Sequence, residues 1–335
     1  ILLIEYEIQL KSLINLVLIK LLQKLVLLYQ RQRQQFRNFS LKMQKLSPIE
    51  VNEICSELGE TYPKSIEPVH GGDIHSAWQI EFSNKKKFFL KRNDRNKKFL
   101  EFEKYCLQNL RKYINQENLV IPEVITYKNI KNIEYLLIEW IDMQNFDQKK
   151  LGKGLGEMHL KSAESNPKMF GFPVEGFIGT TDQKKGWEDN WLDCFLNLRL
   201  MPQLSILKSN LLDQGIINKI KAKIKSELLN HKPINVLVHG DLWSGNAGME
   251  QSGKGVIFDP ASWWADNEVD IAMTKLFGGF ENDFYEEYYK IFPLKENFEN
   301  RIIIYNFYHI LNHANMFGGS YLNQVKDYVK AILSM

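Results

Sequence analysis

Within this chain of 335 residues, one stretch restricts the fold more than any other: Val238-His239-Gly240-Asp241-Leu242-Trp243-Ser244-Gly245-Asn246, followed closely by Val256-Ile257-Phe258-Asp259-Pro260. Each run opens on apolar, β-branched residues and closes in a polar turn, the pattern of a short buried strand with its loop at the rim. Two such strands side by side would bring Asp241, Asn246 and Asp259 together. Three converging oxygen-bearing side chains suit phosphoryl transfer: one carboxylate to orient and deprotonate the attacking hydroxyl, and a carboxamide and second carboxylate to hold magnesium on the phosphates. Taken singly, either aspartate reads equally well as a turn or cap residue. In this order they form the kinase pattern H-x-D-x-x-x-x-N, with a metal-binding Asp on the next strand. Asp241 is therefore the expected catalytic base, Asn246 and Asp259 the expected metal ligands, and ATP and Mg2+ the expected cofactors.

Such chemistry also needs a loop over the phosphates and a cation on a nearby strand. From Ser65 to Arg92 the sequence is β-rich: an extended stretch to His70, a Gly71-Gly72 turn, Ile74 to Phe82, and Lys87 to Lys91 after the polar turn Ser83-Asn84-Lys85-Lys86. Gly71 and Gly72 permit close backbone approach to phosphate, though an ordinary hairpin turn accounts for them equally well. Lys91 ends the apolar run Phe88-Phe89-Leu90, where a lysine would neutralise phosphate charge, and Glu103 on the following helix is its expected partner. Lys85, Lys86, Lys87, Lys97 and Lys98 compete in position but lie among solvated turns. Phe99, Phe102, Tyr105, Cys106 and Leu110 have helical spacing, and Tyr135 to Ile141 reads as a buried strand. Glu139, Trp140 and Ile141 fall where linker backbone would meet adenine, an assignment resting on position alone.

Beyond Asp142 the pattern is mainly helical, with candidates at 149–161, 187–200, 214–229, 268–277 and 301–315, interrupted by short strands at 234–238 and 255–258. The expected architecture is α+β: a protein-kinase-like two-lobed fold with a small β-rich lobe, 43–141, and a larger helical lobe, 142–335. The default site is the cleft between them.

Charge excludes some partners. Formal charge is +3, but residues 1–42 alone carry seven Lys/Arg against two Asp/Glu, so the body is near neutral and shows no basic stripe for nucleic acid. Lys11, Lys20 and Lys24 break the apolar leader well short of the roughly 18 residues a membrane span needs. Leader positions Leu10, Ile14, Val17, Leu21, Leu25 and Leu28 suit an amphipathic helix, while Met43 suits a natural start that leaves 1–42 outside the native protein; both readings stay open. Cys55, Cys106 and Cys194 have neither CxxC nor metal-ligand spacing and read as free thiols. A cytoplasmic monomer without a transmembrane span is expected.

From about Val69 onward the chain resembles the fructosamine kinase (ketosamine 3-kinase) family, within the aminoglycoside and choline phosphotransferase-like kinases. The resemblance is carried by His239 to Asn246, Phe258-Asp259-Pro260-Ala261, Glu268 to Thr274, Leu276-Phe277-Gly278-Gly279-Phe280, and Leu311-Asn312-His313 with Phe317-Gly318-Gly319. Phe170 to Pro173, Phe177 to Thr180, and Asp189-Asn190-Trp191 to Arg199-Leu200 are similar too. It implies ATP-dependent phosphorylation of the sugar O3 of small-molecule or protein-linked ketosamines, giving an unstable product and deglycation repair. The chain departs from eukaryotic members in carrying Asp73 where they often have a phosphate-loop cysteine, so a thiol switch there is not expected. It also lacks the arginine of H-R-D and an A-P-E segment, so control by activation-loop phosphorylation is not expected.

A ketosamine joins an ammonium to a polyol, so its site should offer carboxylates and an aromatic face. Trp243 is the expected face, with core packing as its alternative, and Asn312 and His313 are expected acceptor contacts. Trp263, Trp264, Asp266, Glu268 and Asp270 cluster nearby, although acidic residues at a helix start also cap it. His159 is expected to brace the catalytic loop. Another aminated-alcohol kinase and a nucleotide-binding pseudokinase remain the competing readings.

Overall fold

The computed structural model describes residues 45–335 apart from 70–74, 145–146, 166 and 209–210. The leader, Met43, and the Gly71 and Gly72 of the expected phosphate loop lie outside the described residues. The chain divides into two compact units, Ile1–Ile54 and Cys55–Met335. Helix Pro48–Leu58, which runs across that division, begins with a reciprocal cap: Glu50 N donates to Ser47 Oγ (3.3 Å) and Ser47 N to Glu50 Oε2 (2.6 Å).

The second unit opens with a five-stranded antiparallel sheet in the spatial order Ser65–Pro68, Ser76–Glu81, Lys87–Asn93, Ile133–Glu139, Val124–Ile130. Leu90, Leu136 and Leu137 make its inner strands core-forming. The Val124–Ile130 strand is half exposed and shows no clean alternation, so its sequence signal is weak. Lys131 (φ 52°) and Asn132 (φ 66°) join it to Ile133–Glu139 through two left-handed residues, the conformation of a type I′ hairpin turn. Helix Phe99–Leu110 buries Leu100, Phe102, Cys106, Leu107 and Leu110. Glu103 is the acidic exception on that buried face.

The remainder is mainly helical. Helix Lys149–Glu164 packs closely on helix Asn282–Tyr289, because a Cβ at Gly152 would lie 2.0 Å from the Phe284 carbonyl oxygen. Helix Phe298–Phe317 is buried along most of its length, and Ser320–Ser334 follows it. The expected helix 187–200 is corrected. Gly186–Glu188 is a strand paired with Phe170–Phe172, and helical structure begins only at Trp191, where Asn190 Oδ1 accepts from Asp193 N (2.9 Å). The next turn, Cys194–Leu200, is π-helical. Among the described residues, no helix is long and apolar enough to cross a membrane.

Candidate active site

Two antiparallel registers build the site. Strand Asn235–Val238 pairs with Trp263–Asp266, placing Val238 opposite Trp263, and Ala261 N donates to the His239 carbonyl (2.9 Å). Strand Ala247–Glu250 pairs with Gly255–Ile257, placing Ala247 opposite Ile257, and Phe258 N donates to the Asn246 carbonyl (3.0 Å). Both ends of the 239–246 turn are thus tied to the 258–261 segment, which brings Asp241, Asn246 and Asp259 to one rim. Gly240 has φ 86°, and a Cβ there would lie 2.1 Å from the Ala261 carbonyl oxygen, so only glycine fits. Asp259 is left-handed at φ 58°, a conformation aspartate tolerates and one that recurs at functional sites.

Asn246 Nδ2 donates to the Asp241 carbonyl (2.9 Å) and to Asp241 Oδ2 (3.2 Å). That commits the amide nitrogen and leaves the amide oxygen as the atom suited to a hard cation. Burial raises the Asp241 pKa to about 7, aided by the charge of Asp259 and opposed by the Asn246 hydrogen bond. Lys91 is buried, with Nζ 2.7 Å from Glu103 Oε1 and a second ion pair to Asp259. Burial alone would lower its pKa; the two carboxylates reverse that and hold it raised, so Lys91 stays charged. Burial likewise raises the Glu103 carboxyl, against the pull of Lys91. The competing lysines take surface partners: Lys86 with Glu60, Lys87 with Asp142, Lys97 with Asp182, Lys98 with Glu101. Lys85 is exposed in its turn.

The other expected residues are distributed as follows. Glu139 ends its strand with its amide donating to the Glu123 carbonyl (2.9 Å), so it has no amide to offer adenine. Trp140 and Ile141 follow outside regular structure, the Trp140 indole donating to Asp142 (2.8 Å). Half-buried Trp243 meets Phe277 edge-on at 5.9 Å, and Phe277 meets His313 at 5.0 Å, a run of rings starting two residues from Asp241. His313 Nδ1 donates to the His309 carbonyl (2.8 Å). Asn312 is buried, its Oδ1 accepting from Gln203 Nε2 (3.3 Å). His75, not singled out from the sequence, lies near Lys91 and Asp259; burial and Lys91 drive its pKa to about 3, so it is neutral.

The acidic cluster after Asp259 is structural. Trp263 is buried, stacked on Trp191 at 5.5 Å and covered by the Arg199 guanidinium, and Trp264 packs on Tyr113. Asp266 accepts from His231 and the Tyr305 hydroxyl (both 2.7 Å) and caps Glu268 N (3.1 Å), while Glu268 pairs with Arg301 through two bonds. Asp270 accepts from His239 N (2.7 Å) and Gly240 N (2.8 Å) and contacts His159 Nε2 (3.1 Å), so His159 does reach the catalytic loop, through Asp270. Asp270 and Arg199 were visible in the sequence only as members of a cluster and a motif, and Tyr288 not at all, because their partners come from distant segments.

A β-sheet part carrying a buried Lys–Glu pair, joined to a helical part carrying this turn, defines a protein-kinase-like phosphotransferase. The family model for fructosamine kinase matches residues 49–335, and the chain belongs to that family. A probable ketoamine kinase of Vibrio vulnificus is 36% identical over 290 residues, covering 84% of this chain and 98% of that protein. A solved structure from Haemophilus somnus 129PT, provisionally named a fructosamine-3-kinase, superposes with TM-score 0.73 at 25% identity, covering 84% of this chain and 96% of the other. At the level of fold alone, an aminoglycoside phosphotransferase in ternary complex with ADP and hygromycin B is similar, with TM-score 0.57 at 13% identity over 85% of this chain and 97% of that one.

Proposed function

We propose that this chain transfers the γ-phosphoryl group of ATP to the O3 hydroxyl of a ketosamine, and that decay of the unstable product frees the amine, reversing glycation. The observation that carries the reading is the convergence of Asp241, Asn246 and Asp259, with Lys91 paired to both Asp259 and Glu103, in a member of the fructosamine kinase family. Asp241 accepts the proton of the acceptor hydroxyl as that oxygen bonds to the γ-phosphorus and ADP departs. Lys91, kept charged by its two carboxylates, binds the α- and β-phosphates. The Asn246 amide oxygen and the Asp259 carboxylate suit Mg2+, which when bound neutralises charge on the phosphates. Trp243, His313 and Asn312 serve the acceptor, the two rings favouring its ammonium and sugar C–H groups and the Asn312 amide adding a polar contact.

The test is ADP release with ribulose-, erythrulose- and fructose-lysine beside choline and an aminoglycoside, followed by NMR location of the phosphate. Ketosamine turnover with phosphate on O3 and subsequent amine release is expected. Turnover of choline or the aminoglycoside alone would replace the acceptor class. Nucleotide binding without turnover of any acceptor would mark a binding module.

A further inference from the structure

Asp270 is fully buried, yet its carboxylate is well supplied: His239 N and Gly240 N reach it from the catalytic turn, and His159 Nε2 from helix Lys149–Glu164. Burial would raise its pKa; the bond from His159, with the neighbouring charges and N–H groups, lowers it instead, so it is ionised. An ionised carboxylate only accepts, which places a proton on His159 Nε2. His159 Nδ1 lies 2.9 Å from the Tyr288 hydroxyl, and that hydroxyl oxygen accepts from Asn267 Nδ2 at 3.0 Å. The Tyr288 hydroxyl, already accepting from Asn267, has Nδ1 within reach of its own proton, so Tyr288 donates and Nδ1 accepts. The donors then run one way from Asn267 through Tyr288 and His159 to Asp270, which accepts from the opposite side the His239 and Gly240 amides of the catalytic turn. Only one histidine tautomer satisfies the chain. The other would turn a lone pair on Nε2 toward the carboxylate and take a donor away from Asp270.

The relay joins three helices. His159 lies on Lys149–Glu164, Asp270 on Glu268–Leu276 with Asn267 just before it, and Tyr288 on Asn282–Tyr289. Tyr288 is held by stacking on Phe284 (6.3 Å) and Phe292 (5.8 Å), so its hydroxyl has little freedom. At the inner end, Gly240 is left-handed and directly precedes Asp241. Fixing the His239 and Gly240 amides therefore fixes the origin of the Asp241 side chain. On the turn's other flank, the His239 imidazole donates from Nε2 to the Phe258 carbonyl (2.8 Å), tying the turn to the residue before Asp259.

We propose that His159 and Tyr288 are positioning residues for phosphoryl transfer: through Asp270 they hold the His239–Gly240 backbone, and with it the point from which Asp241 takes the acceptor's proton. This rests on Asp241 being the base. Both side chains are fully buried and closed to a nucleotide, so the effect falls on turnover and not on ATP affinity.

The test uses the full chain with Tyr288→Phe, His159→Leu, His159→Gln and, as comparator, Asp241→Asn, recording kcat, KM for ATP and Tm. Tyr288→Phe should lower kcat by about 5- to 10-fold and His159→Leu by about 10- to 100-fold, the range seen when groups that orient a functional side chain are lost. KM for ATP should stay within about twofold in both, since uniform binding is untouched. His159→Gln should recover most of the rate lost in His159→Leu, because its amide can donate to Asp270. Wild-type kcat in Tyr288→Phe and His159→Leu, assayed well below their Tm, would overturn the proposal and leave packing as their role. Equal losses in the Gln and Leu variants would do the same. Where His159→Leu fails to fold, Tyr288→Phe decides alone, since it deletes one oxygen and keeps the stacked ring. Full turnover by Asp241→Asn would defeat the assignment of the base, an outcome distinct from failure of the relay.

Discussion

Two groups of acidic residues, close in sequence, are treated in opposite ways. Asp266, Glu268 and Asp270 are buried and each is saturated: His231 and Tyr305 serve Asp266, Arg301 serves Glu268, and two backbone amides with His159 serve Asp270. Asp241 is half-buried, receives the Asn246 amide at 3.2 Å, and has the charge of Asp259 beside it, with a pKa raised to about 7. A carboxylate whose oxygens are taken up by fixed donors serves structure. An under-compensated one is ready to accept a proton near neutrality, which is what a general base must do. Removing Asp266 or Glu268 should therefore fall on stability and removing Asp241 on rate, while Asp270 belongs to both because it also holds the catalytic turn.

The largest effect belongs to the saturated group. Glu268→Ala strands the Arg301 guanidinium in the interior, and urea unfolding should show a loss of about 3–5 kcal/mol, the usual result of breaking a buried pair from one side. The kcat of the fraction that stays folded should change little; a large fall in kcat at unchanged stability would break the comparison.

In the cleft the order reverses. Asp241→Ala should cut turnover by at least about 100-fold, the customary contribution of a positioned base, while nucleotide binding by calorimetry is retained. Near-normal turnover would remove Asp241 from its role.

A subtler consequence concerns pH. The folded-state pKa of Asp241, about 7, lies above its ordinary 3.8, so between these values the folded protein keeps a proton that the unfolded chain releases. Its contribution to stability thus declines as pH rises from about 4 to about 7 and stays low above that. Asp241→Asn cannot ionise and should melt later than wild type at pH 8, with the difference vanishing near pH 4. Equal melting at pH 8 would show that Asp241 is not under-compensated. Smallest of all, Trp243→Phe keeps an aromatic face and should raise KM for ketosamine only a few-fold, about the value of one exposed cation–π contact; an unchanged KM would take Trp243 out of the acceptor site.

What the sequence disclosed follows the same division. The grouping of the candidate site residues was legible because they lie on one strand–turn–strand segment whose register follows from two short apolar runs, and because Lys91 and Glu103 occupy a strand and the helix after it. The α+β order was legible for the same local reasons. Asp270 was not, since an aspartate in the first turn of a helix looks like a dipole partner until His159 and Tyr288 arrive from other helices. The Trp187 to Leu200 region misled because Trp187 has helical spacing with later apolar residues, while Gly186–Glu188 is captured by strand Phe170–Phe172. The half-exposed Val124–Ile130 strand had too little alternation to be seen.

The most direct test of the division of labour in the cleft is initial rate against free Mg2+, at saturating ATP and ketosamine, for wild type, Asp241→Ala and Asp259→Asn. Asp259 is assigned to metal binding, so Asp259→Asn should regain part of its rate as Mg2+ rises. Asp241 is assigned to the acceptor's proton, so Asp241→Ala should stay flat across the same range. Superimposable magnesium profiles for the two variants would contradict the account, even with both enzymes impaired.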